Sequence, residues 1–166
     1  TMEIMLVSPM RPQIVVLAKA VPYLLLSMIN ITTILLLSVF VLEVPINGSI
    51  VLLVFESILF TLVSLSLGLL ISSAAASQQT AMFISLMGLM LPTLILSGFM
   101  FPIENMPVPM QVLSNIVPTK WFFIIVKDVM IKGLGFASIW REVLILAGMT
   151  AFFLFVSYRK FKIRLA

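Results

Sequence analysis

Four apolar runs of about 20 residues each constrain the fold of this chain more than any other feature. They cover residues 21–42, 50–71, 81–101 and 139–158. At about 1.5 Å of rise per residue, each run makes a helix of roughly 30 Å, the thickness of a bilayer's hydrocarbon core. We therefore predict an all-α membrane protein with about four transmembrane helices.

Composition argues against an enzyme. The sequence is 62% hydrophobic and 10% charged, with neither cysteine nor histidine. An intramembrane enzyme needs His, Cys or paired carboxylates within the membrane, and such groups also make most metal sites. We predict no catalytic residue, no metal ligand and no cofactor, and we expect the lipid bilayer rather than nucleic acid as the partner of most of the surface.

Two polar residues stand out inside the predicted spans. Asn30 lies in the middle of the first span, and Glu56 lies about 9 Å into the second. Asn30 either lines a polar path or bonds to a neighbouring helix. A carboxylate inside a membrane helix is costly and marks a functional site by default. At this shallow depth, Glu56 is either a contact for substrate or an interfacial acid that water reaches.

A proline-rich stretch ends the third span. Pro92 removes a backbone donor inside the apolar run and predicts a kink there. Ser97 and Gly98 are small residues that allow the chain to bend or pack closely. A cluster of turn-forming residues follows, which predicts a turn at the membrane surface. Its members are Pro102, Glu104, Asn105, Pro107 and Pro109.

Residues 102–136 are too polar, and their apolar stretches too short, to cross the bilayer. We predict an external segment that forms a re-entrant or interfacial helical hairpin before the last span. Trp121 and Trp140 are expected as anchors at the membrane interface.

The two ends of the chain carry an excess of basic residues. Residues 1–19 mix apolar and charged side chains and predict a helix lying on the cytoplasmic membrane surface. The basic tail covers residues 159–166. Together these ends hold six Lys and Arg, against four on the opposite side. The positive-inside rule then places both termini of this segment in the cytoplasm.

Several blocks of sequence resemble one family of membrane proteins. They are SGFMFPIENMP at 97–107, SNIVPTKWF at 114–122, KGLG at 132–135, GLLISSAAASQQTAM at 68–82 and the opening MEIMLVSPMRPQIVVLAK at 2–19. These blocks are similar to the permease subunits of type-two ATP-binding-cassette exporters. The resemblance covers the whole chain. It implies that two helices and a large external domain precede Thr1, so that this chain is a fragment of such a permease.

The resemblance also implies a function. The chain would be the membrane-spanning permease of an ATP-driven exporter in the bacterial cytoplasmic membrane, working as a homo- or heterodimer on an ATPase subunit. The sequence lacks the GxxxxGK[ST] phosphate loop, so ATP is expected to bind to that partner. A largely apolar path suits a lipophilic drug or a lipid. The alternative is a structural or assembly subunit of a membrane complex, without transport.

Two groups of residues receive roles from this resemblance. The residues expected to couple the permease to the ATPase are Glu3, Ser8, Pro9 and Arg11. Those expected to form a gate at the outer end of the path are Pro92, Ser97, Gly98, Pro102, Glu104, Asn105 and Pro107.

Overall fold

The structure is a computed structural model that describes the backbone of residues 12–164 and the side chains of residues 21–157 and 159. This part of the chain is helical and contains no strand. The helices are α1 (Pro12–Phe40), α2 (Ile50–Ala74), α3 (Gln78–Phe83), a π-helix (Ile84–Met90), α4 (Leu91–Leu96), a 3-10 turn (Ile103–Asn105), α5 (Val108–Ser114), α6 (Pro118–Met130) and α7 (Phe136–Arg164).

The prediction of an all-α membrane protein with four crossing helices is confirmed. Four segments of the described chain are long and apolar enough to span a bilayer: Val21–Phe40, Ile50–Ala74, Gln78–Leu96 and Phe136–Ser157. The helices depart from the predicted spans at several ends, and three of these departures matter for the fold. Helix α1 begins at Pro12 and continues without a break through residues 19–21, and α7 continues into the tail. The third span ends at Leu96 rather than Phe101, because a turn with Gly98 at φ +82° follows.

The third span contains a π-helix directly before Pro92. The N–H of Leu91 donates to the carbonyl of Leu86, five residues earlier. Proline lacks an N–H, and its ring crowds the carbonyl four residues before it, here that of Gly88. The wider π-helical turn gives the ring room. The helix therefore continues past Pro92, and its irregularity precedes the proline.

Helices α2 and α7 run side by side in the same direction. Gly133 lies three residues before α7, and Asn47 lies three residues before α2. The two residues are in contact, since a Cβ on Gly133 would lie 3.1 Å from the Asn47 carbonyl oxygen. Both helices therefore start at one end of the bundle, which we call the hairpin end. The core between α2, α6 and α7 consists of Leu53, Val63, Ile125, Val129, Ile139, Val143 and Leu146.

The other two spans lie outside this core. Within the spanning parts of α1 and of α3–α4, none of the residues is buried. In the spanning parts of α2 and α7, 22% of the residues are buried. Exposed apolar side chains on these helices suit a lipid environment, where they meet acyl chains instead of water.

Candidate functional site

A loop before α2 holds the carboxyl end of α6. The backbone N–H of Asn47 donates to the Met130 carbonyl at 3.0 Å, and its side-chain Nδ2 donates to the Ile131 carbonyl at 2.9 Å. The backbone of Gly48 lies against Val129, since a Cβ there would be 2.3 Å from the Val129 carbonyl oxygen. The last carbonyls of a helix lack partners within the helix. Here a distant loop supplies the donors, which fixes α6 at the hairpin end.

The amino-terminal turn of α6 lies much farther along α2. The ring of Phe122 stacks on that of Phe60, with centroids 4.3 Å apart and planes 9° apart. Phe60 is ten residues from the start of α2, or about 15 Å along its axis. Helix α6 therefore runs antiparallel to the first half of α2, from half-way along that helix back to its start. Helix α5, residues 115–117 and α6 make up the segment predicted as a re-entrant or interfacial hairpin, which we call the hairpin.

A polar cluster closes the turn of this hairpin. The Lys120 ammonium donates to Ser114 Oγ at 3.1 Å and to Asn115 Oδ1 at 2.6 Å, and it lies 5.1 Å from the centre of the Trp121 ring. The indole N–H of Trp121 donates to the Asn115 carbonyl at 3.0 Å. Burial lowers the pKa of Lys120 below its ordinary value. The cluster ties the end of α5 and the residue after it to the first turn of α6.

The turn after the third span also contacts α6. Phe99 packs edge-on against Phe123, with centroids 5.9 Å apart. Gly98 adopts a positive φ, and a Cβ there would lie 3.1 Å from Ile103 Cδ1. Ser97 is buried and accepts a bond from the Phe99 N–H at 3.3 Å. The end of the third span is thus in direct contact with α6.

The predicted gate residues divide into two groups. Ser97 and Gly98 lie close to α6, and Pro92 is half-buried in α4. The remaining members are exposed: Pro102, Glu104, Asn105 and Pro107. Of the predicted set, therefore, only the residues at the end of the third span are positioned to sense a movement of α6.

Glu56 is completely buried in α2. Its exposed fraction is 0%, and neither carboxylate oxygen has a hydrogen-bond partner among the described residues. The interpretation of Glu56 as an interfacial acid in contact with water does not fit this closed environment. A buried polar group without a partner is costly, and native proteins keep few of them.

Asn30 occupies a different environment. Its side chain is exposed on α1. The neighbouring Thr32 and Thr33 donate to the carbonyls of Met28 and Ile29 of their own helix, both at 2.8 Å. These hydroxyls therefore do not bond to another helix, and Asn30 and Glu56 lie on different helices with different exposure.

Sequence reasoning missed Glu142, a half-buried carboxylate on α7. One of its oxygens, Oε2, is buried without a partner. Glu142 stands nine residues after Gly133, and Glu56 stands nine residues after Asn47; Gly133 and Asn47 are in contact. The two carboxylates thus lie at the same level of two parallel helices. The signal available in the sequence was its place three residues after Ile139 and four before Leu146, which is apolar helical spacing.

The opposite end of the bundle carries an open groove between α2 and the third span. Its volume is about 460 Å³, which is within the range of small-molecule pockets. The wall is mainly apolar with a few polar side chains, and it consists of Gly68, Ile71, Ser72, Gln78, Ala81, Met82, Ser85 and Leu86.

Two other predictions concern coupling and metal binding. The residues predicted to contact an ATPase lie outside the described residues: Glu3, Ser8, Pro9 and Arg11. Within the described part of the chain, no group of three or more His, Cys, Asp or Glu side chains is placed to hold a metal ion.

Comparison with known proteins identifies the relatives of this chain. The family described as ABC-2 type transporter matches residues 1–131. The probable multidrug ABC transporter permease YbhR of Escherichia coli (strain K12) is 34% identical over 151 residues, which cover 91% of this chain and 41% of YbhR. The probable multidrug ABC transporter permease YbhS of the same strain is 34% identical over 165 residues, covering 99% of this chain and 44% of YbhS.

The likeness extends to a eukaryotic protein. The ABC transporter G family member 20 of Dictyostelium discoideum is 30% identical over 149 residues, covering 89% of this chain and 20% of that protein. The chain thus spans less than half the length of these relatives. No solved structure matches it. On the family match and on these identities, the chain belongs to the ABC-2 type transporter family of membrane proteins.

Proposed function

We propose that this chain forms part of the permease of an ATP-driven exporter that moves lipophilic compounds across the cytoplasmic membrane of a bacterium. Family membership and the names of the E. coli relatives support a transport permease. One structural observation carries the proposal: α6 runs alongside half of α2, and a buried, unpartnered carboxylate lies on that same half. Such a group is costly, so its presence favours a functional role over a purely structural one.

The energy source is a separate subunit in this proposal. The sequence contains no GxxxxGK[ST] loop to hold the phosphates of ATP. An ATPase partner would press on the segment before α1, where Glu3 and Arg11 are the expected contacts. A second permease, identical or homologous, would complete the path.

Basic residues favour the hairpin end as the outer end. Six of the ten basic residues belong to the two ends of the chain, which the positive-inside rule assigns to the cytoplasm. Of the four others, Lys120 lies at the turn of the hairpin, deep along α2, and Arg141 lies within the last span. Only Lys127 and Lys132 remain near the surface of the hairpin end, and Lys132 pairs with Asp128 at 2.6 Å. This asymmetry agrees with the positive-inside rule if both ends of the segment are cytoplasmic.

Transport would then require the hairpin to move. Helix α6 is held by the Asn47 cap at its end, by the stack of Phe60 on Phe122 at its start, and by Phe99 on Phe123 at its side. The π-helix and the Gly98 turn adjoin this last contact. A push on the inner ends of the helices would open the outer end by loosening these contacts.

The test uses the full-length permease, reconstituted with its ATPase in proteoliposomes and carrying Asn47→Cys and Ile131→Cys. Closing the disulfide should stop export of a lipophilic dye, and a reductant should restore it. Each single cysteine variant is the control. If dye never accumulates and ATP hydrolysis is the same with and without the permease, the chain is an assembly subunit and the proposal fails.

A further inference from the structure

Glu56 has no counter-charge in the described part of the chain. Among the described residues, the only ion pair with its nitrogen and oxygen within 4.0 Å is Lys132–Asp128, at the hairpin end. Lys120 bonds to Ser114 and Asn115 at the turn of the hairpin. An acidic side chain that is buried in a membrane protein normally faces a partner or a pathway, because an isolated charge there is strongly unfavourable. The surroundings of Glu56 are therefore incomplete.

The aromatic pair lies one helical turn away on the same face. Phe60 is four residues after Glu56, and residues at i and i+4 are neighbours on a helix surface. The ring of Phe122 covers that of Phe60 in parallel stacking. The seam between α2 and α6 thus combines one free carboxylate with two aromatic faces and apolar walls that include Leu53 and Ile125.

We propose that Glu56, Phe60 and Phe122 form a recognition site for a lipophilic organic cation, such as a protonated or quaternary amine on an apolar body. This inference rests on the proposed function and names the substrate class. The carboxylate would pair with the cationic centre. The ring faces attract a cation through their quadrupole, and the apolar walls accept the remainder of the molecule. The seam is closed in this structure and opens as α6 moves.

An inorganic ion fits this site less well than an organic one. Calcium takes six to eight oxygen ligands, and magnesium keeps a near-octahedral shell. Ser57 is the neighbouring polar side chain, but its hydroxyl already donates to the Leu53 carbonyl at 2.7 Å. Glu142, at the same level on α7, adds negative charge without completing such a shell. One carboxylate beside aromatic rings is enough for a large, weakly hydrated cation.

The experiment compares two compounds of the same shape. The full-length permease with its ATPase is assayed in proteoliposomes for uptake of an aromatic quaternary ammonium compound and of its neutral tert-butyl isostere. Wild type should prefer the cation. Glu56→Gln should reduce the apparent affinity for the cation on the order of tenfold, the effect of losing one charge-assisted contact. The apparent affinity for the isostere should stay within about twofold of the wild-type value. Phe122→Leu should lower the apparent affinity for both compounds, and that for the cation more.

Controls separate recognition from structure. Glu43→Gln removes an exposed carboxylate from the loop before α2 and should leave the uptake of both compounds unchanged. Glu56→Asp keeps the charge and should keep part of the preference for the cation. If Glu56→Gln does not insert, the wild-type preference and the Phe122→Leu variant decide the question.

The outcomes distinguish the two proposals. Equal transport of both compounds by wild type, or equal losses for both in Glu56→Gln, would overturn the cation site while leaving the exporter in place. A wild-type protein that transports neither compound, with ATP hydrolysis that does not respond to the permease, would overturn both.

Discussion

Asn47 joins Met130 across 83 residues of sequence, with its backbone N–H 3.0 Å from the Met130 carbonyl oxygen. This bond connects the loop between the first two spans to the end of a helix that precedes the last one. The Asn47 side chain adds a second bond, to Ile131. The start of α2, the end of α6 and the approach to α7 are thereby held at one level.

Removing the Asn47 side chain tests this cap. Asn47→Ala loses the bond to the Ile131 carbonyl and keeps the backbone bond, so we expect a loss of about 1 kcal/mol in the free energy of unfolding. Thermal unfolding of the purified protein in detergent measures the change. Asn105→Ala is a matched control, because Asn105 is exposed and its side chain makes no hydrogen bond among the described residues. Equal effects of the two changes would contradict the role of Asn47.

Gly48→Ala should be more harmful than Asn47→Ala. A Cβ at residue 48 would lie 2.3 Å from the Val129 carbonyl oxygen and 2.9 Å from Val129 Cγ1, so the loop must move away from α6. Overpacking of this kind costs about 1–3 kcal/mol, and here it also weakens the Asn47 bonds. The unfolding midpoint in denaturant reports the loss.

The control for this prediction is Gly148→Ala in α7, where a Cβ meets nothing within 4 Å. Alanine is the better helix former by about 1 kcal/mol, so this change should be neutral or stabilising. A destabilised Gly148→Ala variant and an unaffected Gly48→Ala variant would mean that the loop does not lie against Val129.

Pro92→Ala tests the origin of the π-helix. Alanine restores the N–H and removes the ring that crowds the Gly88 carbonyl, so residues 84–90 should relax to a regular α-helix. That change rotates the two parts of the third span against each other. The distance between spin labels at residues 79 and 97 should therefore shift. Pro22→Ala in α1 is the control, since the helix around Pro22 contains no π-helical segment.

The spans were predictable from sequence because a long apolar run leaves a chain in lipid few options other than a helix. Residues 50–71 were predicted as a span, and α2 covers Ile50–Ala74. The helix bounds depend on local detail and were less predictable. The Ser97–Gly98 turn ends the third span five residues early, and the π-helix before Pro92 replaces the simple kink that proline predicts.

The site was only partly predictable because its members meet through tertiary contacts. The sequence singles out Glu56 as an acid within a span, but its complete burial comes from the helices packed against α2, which local sequence does not reveal. The stack of Phe60 on Phe122 and the Asn47 cap leave no local signal. Glu142 was overlooked because it lies next to Arg141 near the start of a span, where a charged pair at the interface is the ordinary expectation.

The stack of Phe60 on Phe122 can be measured as a coupling energy. Phe60→Leu and Phe122→Leu, made singly and together, should give a coupling of about 0.5–1.5 kcal/mol in the free energy of unfolding, the range for aromatic pairs. Phe60→Leu combined with Phe155→Leu is the control, since Phe155 is exposed on α7. A coupling for Phe60 and Phe122 no larger than in this control would mean that the two rings do not meet.

The partly buried ammonium of Lys120 predicts a dependence of stability on pH. Because its pKa is lowered in the folded protein, the unfolded chain binds more protons between that lowered pKa and the ordinary value of about 10.4. The free energy of unfolding should therefore gain a contribution that rises with pH through this window. Below the window, the cost of burying the charge is present in full. Lys120→Met and Lys120→Arg, neither of which titrates there, should both lack this contribution when unfolding is measured from pH 8 to pH 11. A rise of the same size in wild type and in both variants would assign it to other groups.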